Sequence, residues 1–200
     1  MTGDAPFTGE EPVLGNGQPD SSWVALVAQA RSGDRVAQRE LFERFAPGVY
    51  GYLLRMTRDA EQAADLTQDT FVKALARLPR LREPAAFATW VFRIAHNAAR
   101  DRAARASEEQ LDEAVATSLP DPRGDVERAV LGAALAAAVD EAVAGLRPEH
   151  REVVVLHHLQ GLDVERAAQV VGVPVGTVKS RLARARETLR RRLSPWLENA

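Results

Sequence analysis

The sequence contains no cysteine. This absence excludes disulfide bonds and thiolate metal sites, and it fits a reducing compartment. The chain also lacks any apolar run of about 18 residues, the length that a membrane-spanning helix needs. Its start, MTGDAPFTGEEPVLGNGQPD, has neither the basic segment nor the apolar stretch of a secretory signal. We therefore expect a cytoplasmic protein without membrane insertion.

Histidine is scarce, with four in the whole chain. His150 and His157 are seven positions apart and could share a helix face, whereas His157 and His158 are neighbours that point about 100° apart on a helix. No Glu or Asp completes a ligand spacing such as H-E-x-x-H. A zinc enzyme built on these three histidines remains an alternative hypothesis. The sequence favours no metal, no cofactor and no catalytic residue.

Sustained alternation of apolar and polar residues is also missing, so strands are not expected and the fold class is all-α. Apolar residues recur instead at helical spacing, between turn and cap residues. In the first half, we expect helices from Ser22 to a stop at Gly33, along RVAQRELFERFA before Pro47, through Val49 to Met56, over about Ala60–Leu78, and over about Phe87–Arg105. In the second half, helices are expected from near Val126 and in RPEHREVVVLHHLQG, DVERAAQVVG and PVGTVKSRLARARETLRRRL.

Charge is unevenly distributed along the chain. Residues 1–22 contain no Lys or Arg, and the net charges of residues 1–22, 23–105, 106–146 and 147–200 are −4, +5, −7 and +4. Two basic blocks around an acidic one suggest two modules that face a polyanion. The predicted organisation is a disordered tail (1–21), a helical domain (22–105), a flexible acidic linker (106–127), a second helical domain (128–193) and a short tail (194–200).

The stretch PVGTVKSRLARARETLRRR holds seven basic residues and one acid. As a helix, it places Val178, Leu182, Ala185 and Leu189 on one apolar stripe, with polar and basic residues opposite. A short helix capped by Asp163 and a turn at Gly172 precede it, which predicts a helix-turn-helix whose second helix enters the DNA major groove. The candidate reading residues are Thr177, Lys179, Ser180, Arg181 and Arg184. An exposed helix with basic residues at its C-terminal end is the alternative, but it does not explain the cations in the first turns.

Two helices of the first domain carry distinctive polar faces. The helix Phe87–Arg105 has a predicted buried stripe and, beside it, Arg93, Asn97 and Arg100. Together with Trp90 and the loop LREPAAF, these residues suit single-stranded or distorted DNA, although any one of Phe87, Trp90 and Phe92 taken singly is more often a core residue. On the preceding helix, Asp65 and Asp69 share an outer face with Gln68 near its edge. That acidic face is either a solvated surface or a docking surface for a basic protein.

Two longer segments resemble a known family. AEQAADLTQDTFVKALARLPRLREPAAFATWVFRIAHNAARDRAAR resembles region 2 of the sigma-70 family, and LRPEHREVVVLHHLQGLDVERAAQVVGVPVGTVKSRLARARETLRR resembles its region 4. Because these two regions are joined by only a short acidic linker, the chain looks like an extracytoplasmic-function (ECF) sigma factor over about residues 22–193. The resemblance implies a non-enzymatic protein that directs core RNA polymerase to promoters and helps to melt them.

The resemblance also implies a role for each face. Asp65, Gln68 and Asp69 match the surface that docks on the β′ clamp helices, while the second domain would meet the β flap. The loop Arg82–Phe87 matches the segment that captures a flipped base of the minus-ten element, and Asn97 and Arg100 match promoter-contacting positions. The minus-ten candidates are thus Arg82, Phe87, Arg93, Asn97 and Arg100. Lys179, Ser180 and Arg184 match positions that read the minus-thirty-five element, and an anti-sigma factor is an expected further partner.

Departures from the family pattern occur at two positions. Leu75 stands where Trp or Tyr is common, and Ala183 stands where a bulkier residue is often found on the reading face. A conventional helix-turn-helix regulator is the alternative function, because GTVKSRLARAR also resembles response-regulator output domains. Such regulators carry an upstream receiver or ligand domain, usually with a βα pattern, and the helical pattern of residues 23–105 counts against it.

Overall fold

The computed structural model describes residues 22–109 and 127–197, and every regular element within these ranges is helical, which confirms the all-α prediction. The long helices are α1 (Ser22–Arg31), α2 (Arg35–Thr57), α3 (Ala60–Arg77), α4 (Phe87–Glu109), α5 (Glu127–Ala144), α6 (Pro148–Val154), α7 (Val164–Val171) and α8 (Val175–Leu197). Two 3₁₀ turns, Leu78–Arg80 and Pro84–Ala86, connect α3 to α4, and a π-helical turn, Val155–Leu159, extends α6. The predicted tail 1–21 and most of the predicted linker lie outside the described residues.

Aspartates begin three of the helices. The side chain of Asp163 accepts a hydrogen bond from the Arg166 amide at 2.7 Å, as predicted for α7. Asp34 accepts from the Val36 amide at 2.8 Å to begin α2, and Asp59 accepts from the Gln62 amide at 3.1 Å to begin α3. Each carboxylate satisfies an amide that has no partner within the helix, so these helix starts are encoded locally.

The break predicted before Pro47 is wrong. Pro47 lies inside α2, a single helix of 23 residues. An interior proline removes one backbone hydrogen bond and costs about 3 kcal/mol. The helix continues because its buried face runs through this point, with Leu41 and Phe45 before Pro47 and Val49, Tyr52 and Leu53 after it, all fully buried. Pro47 itself is exposed, so the carbonyl that loses its partner can be hydrated.

Helices α1–α4 enclose an aromatic core. Trp23, Phe45 and Phe87 pack edge-on or tilted, with ring centroids 5.1–6.5 Å apart. Tyr52 and Phe92 form a second edge-to-face pair at 6.0 Å. The second unit, α5–α8, is aliphatic instead and buries Leu146, Val153–Leu156, Leu162 and the inner faces of α7 and α8. We call α1–α4 the first unit and α5–α8 the second unit.

The helix ends differ from the predicted domain ends. Helix α4 continues to Glu109, four residues past the expected end at Arg105, and α8 runs to Leu197, past the expected end at 193. The residues that extend α4, ASEE, contain no helix breaker, so nothing local stops the helix at 105. Within residues 22–109 and 127–197, no helix combines the length and apolarity needed to cross a membrane.

Two glycines near the helix-turn-helix allow a matched test of its turn. Gly172 has φ +71°, whereas Gly176 lies in α8, and a Cβ at either position would meet no atom within 4 Å. We expect Gly172→Ala to lower the free energy of unfolding by about 1–2 kcal/mol, because alanine is strained in the left-handed region. Gly176→Ala should raise it by up to about 0.5–1 kcal/mol, because alanine loses less backbone entropy than glycine in a helical conformation. Urea unfolding of both variants checks this, and equal effects would contradict it.

Candidate nucleic-acid interface

Helices α7 and α8 form the predicted helix-turn-helix. Gly172 ends α7 in the left-handed conformation, and its amide donates to the Ala168 carbonyl at 2.9 Å. The Val173 amide donates to the same carbonyl at 3.2 Å, which closes the turn before α8 begins at Val175. The predicted packing stripe of α8 is confirmed, since Val178, Leu182 and Ala185 are buried and Leu189 packs against the core. The opposite face of α8 is therefore turned outward.

The outward face of α8 carries most of the predicted reading residues. Lys179, Ser180 and Arg184 are exposed, and Thr177 is half-buried. The Ser180 hydroxyl donates to the Thr177 carbonyl at 2.9 Å, so it is held against its own helix. Beside Arg184 lies an open cleft of about 600 Å³ whose charged lining residues are Arg147, Arg191, Arg192 and one acid, Glu187. This surface offers hydrogen-bond donors and positive charge for bases and phosphates.

Arg181 differs from the other reading candidates. Its guanidinium donates to Glu152 Oε1 at 2.8 Å, and its side chain is only 22% exposed. Arg181, which was expected on the flank of the reading face, is paired with α6 in this structure, and its contact with DNA stays a prediction. In this conformation its charge is directed to α6 and away from a DNA groove.

The minus-ten candidates lie on α4 and on the loop before it. Arg93, Asn97 and Arg100 are exposed at positions i, i+4 and i+7, so they share one face of α4. Arg82 is exposed in the preceding loop. That loop is anchored by Arg31, which the sequence patterns did not single out and whose Nη1 donates to the Leu81 carbonyl at 2.9 Å. Four of the five candidates therefore point to solvent.

Phe87 is the exception. Its side chain is fully buried, and its ring lies 5.1 Å from that of Phe45 and 6.0 Å from that of Trp90. The assignment of Phe87 as a DNA-contacting residue is therefore corrected: in this conformation the ring cannot reach a base. Phe87 begins α4 and packs it onto the core, whereas its neighbour Trp90 is only partly buried.

The acidic face of α3 is exposed along its length. Asp65, Gln68 and Asp69 all reach solvent, and Asp69 Oδ2 lies 3.9 Å from Lys73 Nζ within the same helix. Val72, which is 68% exposed, follows Asp69 by three residues on the same side. A face that combines carboxylates, an amide and one apolar side chain suits a basic protein surface better than DNA.

A buried polar cluster joins the two units, and no local pattern in the sequence predicted it. The Tyr52 hydroxyl lies 3.0 Å from His96 Nδ1, and that nitrogen lies 3.7 Å from Glu152 Oε2. Glu152 also binds Arg181, so four residues from α2, α4, α6 and α8 meet in one place. Because the members are far apart in sequence, helical periodicity carries no signal for their association.

Burial sets the protonation of this cluster. It raises the pKa of Glu152 to about 7, and the opposing effect of Arg181 does not overcome it. Burial, followed by the charge of Arg100, lowers the pKa of His96. His96 is therefore neutral at pH 7, and its approach to Glu152 is not an ion pair. Burial also raises the pKa of Tyr52, so that hydroxyl stays protonated.

The three histidines of the zinc alternative do not meet. His157 Nδ1 lies 2.7 Å from the Leu162 carbonyl oxygen, and its ring centroid lies 4.7 Å from that of His158. His150 instead lines the cleft beside Arg184. Among residues 22–109 and 127–197, no group of three His, Asp or Glu side chains is arranged to hold a metal ion.

Comparison with known proteins matches both units. Residues 41–109 match the family model described as Sigma-70 region 2, and residues 136–189 match the model described as Sigma-70, region 4. RNA polymerase sigma-H factor of Pseudomonas aeruginosa is 33% identical over 88% of this chain and 95% of that protein. ECF RNA polymerase sigma factor SigM of Mycobacterium tuberculosis is 34% identical over 94% of this chain and 93% of that protein.

Solved structures share the fold as well. CnrH, solved with the cytosolic domain of CnrY, is 29% identical with a TM-score of 0.62 and covers 86% of this chain and 97% of that one. RpoE of Bartonella quintana, solved with the anti-sigma factor NepR, is 25% identical with a TM-score of 0.63 and covers 78% of this chain and 96% of that one.

The raised pKa of Glu152 predicts a pH-dependent effect of Glu152→Gln. A folded-state pKa of about 7 against an ordinary 4.5 means that the folded state holds this proton more tightly than the unfolded chain. The associated stability is present at low pH and is lost as the pH rises through about 7. The variant has no such proton. Its free energy of unfolding, measured relative to that of the wild type, should therefore rise by on the order of 1–3 kcal/mol between about pH 5 and pH 8. Urea unfolding at both pH values measures this, and a pH-independent difference between the two proteins would refute it.

Proposed function

This chain belongs to the ECF group of the sigma-70 family, and we propose that it directs core RNA polymerase to promoters through the polar faces of α3, α4 and α8. The assignment of particular residues to polymerase and DNA rests on the amphipathic character of these helices. Each of the three buries an apolar face and turns a polar face outward. The proposed domains are residues 22–105 for region 2 and 128–193 for region 4, with 106–127 as the linker and tails at 1–21 and 194–200.

The outward face of α8 is proposed to read the minus-thirty-five element. Lys179, Ser180 and Arg184 reach solvent and can approach base edges in the major groove. The basic cleft beside Arg184 supports attraction to the phosphate backbone on the same side. Thr177 and Arg181 border this face. Arg181 is bound to Glu152, and it can contact DNA only after this hydrogen bond breaks.

The outward face of α4 and its preceding loop are proposed to hold the minus-ten element. Arg93 and Arg100 supply charge for the backbone of a separated strand, and Asn97 supplies an amide for a base. Arg82 stands in a loop that Arg31 holds in place, which suits a pocket for an unpaired base. Phe87 supports this loop from the core and makes no proposed contact with DNA.

The acidic face of α3 is proposed as the docking surface for the β′ clamp helices, and the second unit is proposed to meet the β flap. CnrH and RpoE were solved bound to CnrY and to the anti-sigma factor NepR. By that similarity, we propose an anti-sigma factor as a further partner of this chain. The protein would work in the cytoplasm, where the polymerase is, and the polymerase would carry out all bond formation.

A conventional regulator that acts outside the polymerase is not favoured. Such proteins carry an additional sensing domain, usually with a βα pattern, whereas every regular element in the described residues of the first unit is helical, and this unit matches Sigma-70 region 2. An acidic face on a basic module also has no role in binding DNA, but it does have one in binding a basic protein surface.

Reconstitution with core RNA polymerase tests the proposed function. We expect the protein and core polymerase together, but neither alone, to start transcription at a cognate promoter, which can be found by sequencing RNA 5′ ends after overexpression. The double variant Asp65→Ala/Asp69→Ala should bind polymerase at least tenfold more weakly, because it removes both exposed carboxylates of α3. Glu40→Ala/Glu43→Ala removes two exposed carboxylates of α2, outside the proposed docking and reading faces, and serves as the control. Equal polymerase binding by the two double variants would remove the acidic-face assignment.

Arg184 and Arg191 allow a test of base reading against charge. Both are exposed residues of α8 that line the same cleft, but only Arg184 lies on the proposed reading face. Arg184→Ala should weaken the free energy of promoter binding by about 1–3 kcal/mol where the upstream element is intact, and only slightly where that element is scrambled. Arg191→Ala should weaken binding to both promoters by the same small factor and reduce the salt dependence of binding. Footprinting with the holoenzyme on both promoters measures this, and identical profiles for the two variants would contradict it.

A further inference from the structure

The cleft beside Arg184 concentrates arginine side chains within the second unit. It lies between the turn that joins α5 to α6 and the C-terminal half of α8, and its volume of about 600 Å³ is typical of small-molecule sites. Arg147 comes from the turn, while Arg184, Arg191 and Arg192 come from α8. Four guanidinium groups from two separate elements therefore face one cavity.

Three of these guanidinium groups are not neutralised by the protein. Arg147, Arg184 and Arg191 are exposed, and their side chains make no ion pair or hydrogen bond with any other described residue. Glu187 also lines the cleft, but its carboxylate already binds Arg190, outside the cleft, at 3.3 Å. The cleft therefore holds an excess of positive charge, and its like charges repel one another until an anion enters.

The fourth guanidinium, that of Arg192, is held at the cleft by a carbonyl and a glycine. Its Nη1 donates to the Ala142 carbonyl, near the end of α5, at 3.2 Å. A Cβ built on Gly145 would lie 2.6 Å from the Arg192 Cζ, closer than such atoms approach. Gly145 does not have a positive φ, so the turn itself does not require glycine. The missing side chain instead leaves the space that this guanidinium occupies.

The lining fits a chain of phosphates better than an aromatic ring. Arginine donates paired hydrogen bonds to phosphate oxygens, so arginines on two sides of one space can bind successive phosphates. Among the described residues that line the cleft, Leu146 alone has a large apolar side chain, and it is buried. The Thr188 hydroxyl donates to the Arg184 carbonyl at 3.1 Å. The charged nitrogens are therefore the main groups that the cleft offers to a ligand.

We propose that this cleft binds a small anion that carries a chain of linked phosphates, and that this ligand competes with promoter DNA for Arg184. The competition rests on the function proposed above, because Arg184 is also a candidate reader of the minus-thirty-five element, whereas the binding site does not depend on that function. Duplex DNA carries its phosphates singly, with a sugar between each pair, so it brings less charge into one cavity than a triphosphate does.

Isothermal titration calorimetry of the free full-length protein, without divalent cations, tests the site. Inorganic tripolyphosphate should bind saturably, and inorganic phosphate should bind about tenfold more weakly, because it can pair with fewer arginines. ATP brings the same length of phosphate chain with a nucleoside attached. Tighter binding of ATP would identify a nucleotide as the ligand, and tighter binding of tripolyphosphate would identify inorganic polyphosphate.

Three substitutions separate the cleft from general positive charge. Arg147→Ala removes one charge of the cleft and should weaken tripolyphosphate binding about fivefold. Gly145→Ala keeps every charge, but its methyl group displaces the Arg192 guanidinium, so it should weaken binding about threefold. Arg186→Ala removes an exposed arginine of α8 that lies outside this cleft and serves as the control.

Circular dichroism checks that each variant folds. The site would be overturned by an absence of saturable binding, by inorganic phosphate binding as tightly as tripolyphosphate, or by equal weakening in Arg147→Ala and Arg186→Ala.

Promoter binding by the reconstituted holoenzyme tests the competition. A saturating concentration of tripolyphosphate should weaken binding about fivefold where the upstream element is intact, and much less where it is scrambled, because Arg184 reads only the intact element. Holoenzyme with Gly145→Ala should resist the same concentration. Effects of tripolyphosphate on polymerase or on metal ions would be equal in both proteins, so they cannot produce this difference.

Equal losses on the two promoters, or in the two proteins, would overturn the competition for Arg184. If calorimetry shows the site but the holoenzyme binds no promoter, the phosphate site stands and the proposed function fails. If the holoenzyme binds its promoter but the free protein binds no tripolyphosphate or ATP, the proposed function stands and the phosphate site fails.

Discussion

Burial of the Glu152 carboxylate between Arg181 and His96 is the interaction on which the arrangement of the molecule depends. A carboxylate removed from water costs several kcal/mol unless nearby groups compensate for the lost hydration. One oxygen accepts a hydrogen bond from Arg181 of α8, and the other faces the neutral ring of His96 on α4 at 3.7 Å, so one acidic residue of α6 lies between helices of both units. The raised pKa of Glu152 shows that this compensation is incomplete. The orientation of α8 is thus tied to a site that is costly to keep charged.

Helix α2 brings the first unit to this site. Because the helix continues through Pro47, its second half carries Tyr52 to His96 and Arg55 to Asp140. A helix that ended before Pro47 would leave the direction of both side chains to a loop. Burial of a Val, Leu or Phe side chain contributes about 1.5–3 kcal/mol, so the apolar residues on either side of the proline outweigh its cost. The long-range polar contacts therefore rely on ordinary apolar packing.

The features that the sequence predicted correctly are those determined by near neighbours. The Asp163 cap, the turn at Gly172 and the stripe of Val178, Leu182 and Ala185 each depend on residues three or four positions apart. The predictions that needed correction depend on distant partners. An aromatic residue such as Phe87 suits both a base pocket and a core, and only Trp23 and Phe45 decide between them. Likewise, Arg181 has the pattern of a reading residue, but Glu152, 29 positions away, binds it.

Arg181 can satisfy either of two acceptors. In this structure its guanidinium donates to the buried carboxylate of Glu152, and on DNA the same donors would satisfy a phosphate or a base edge. If Arg181 turned to DNA, the Glu152 carboxyl, whose pKa burial already raises to about 7, could take up a proton instead of remaining an unpaired charge. Because one charge-assisted contact would replace another, the exchange need not carry a large net cost.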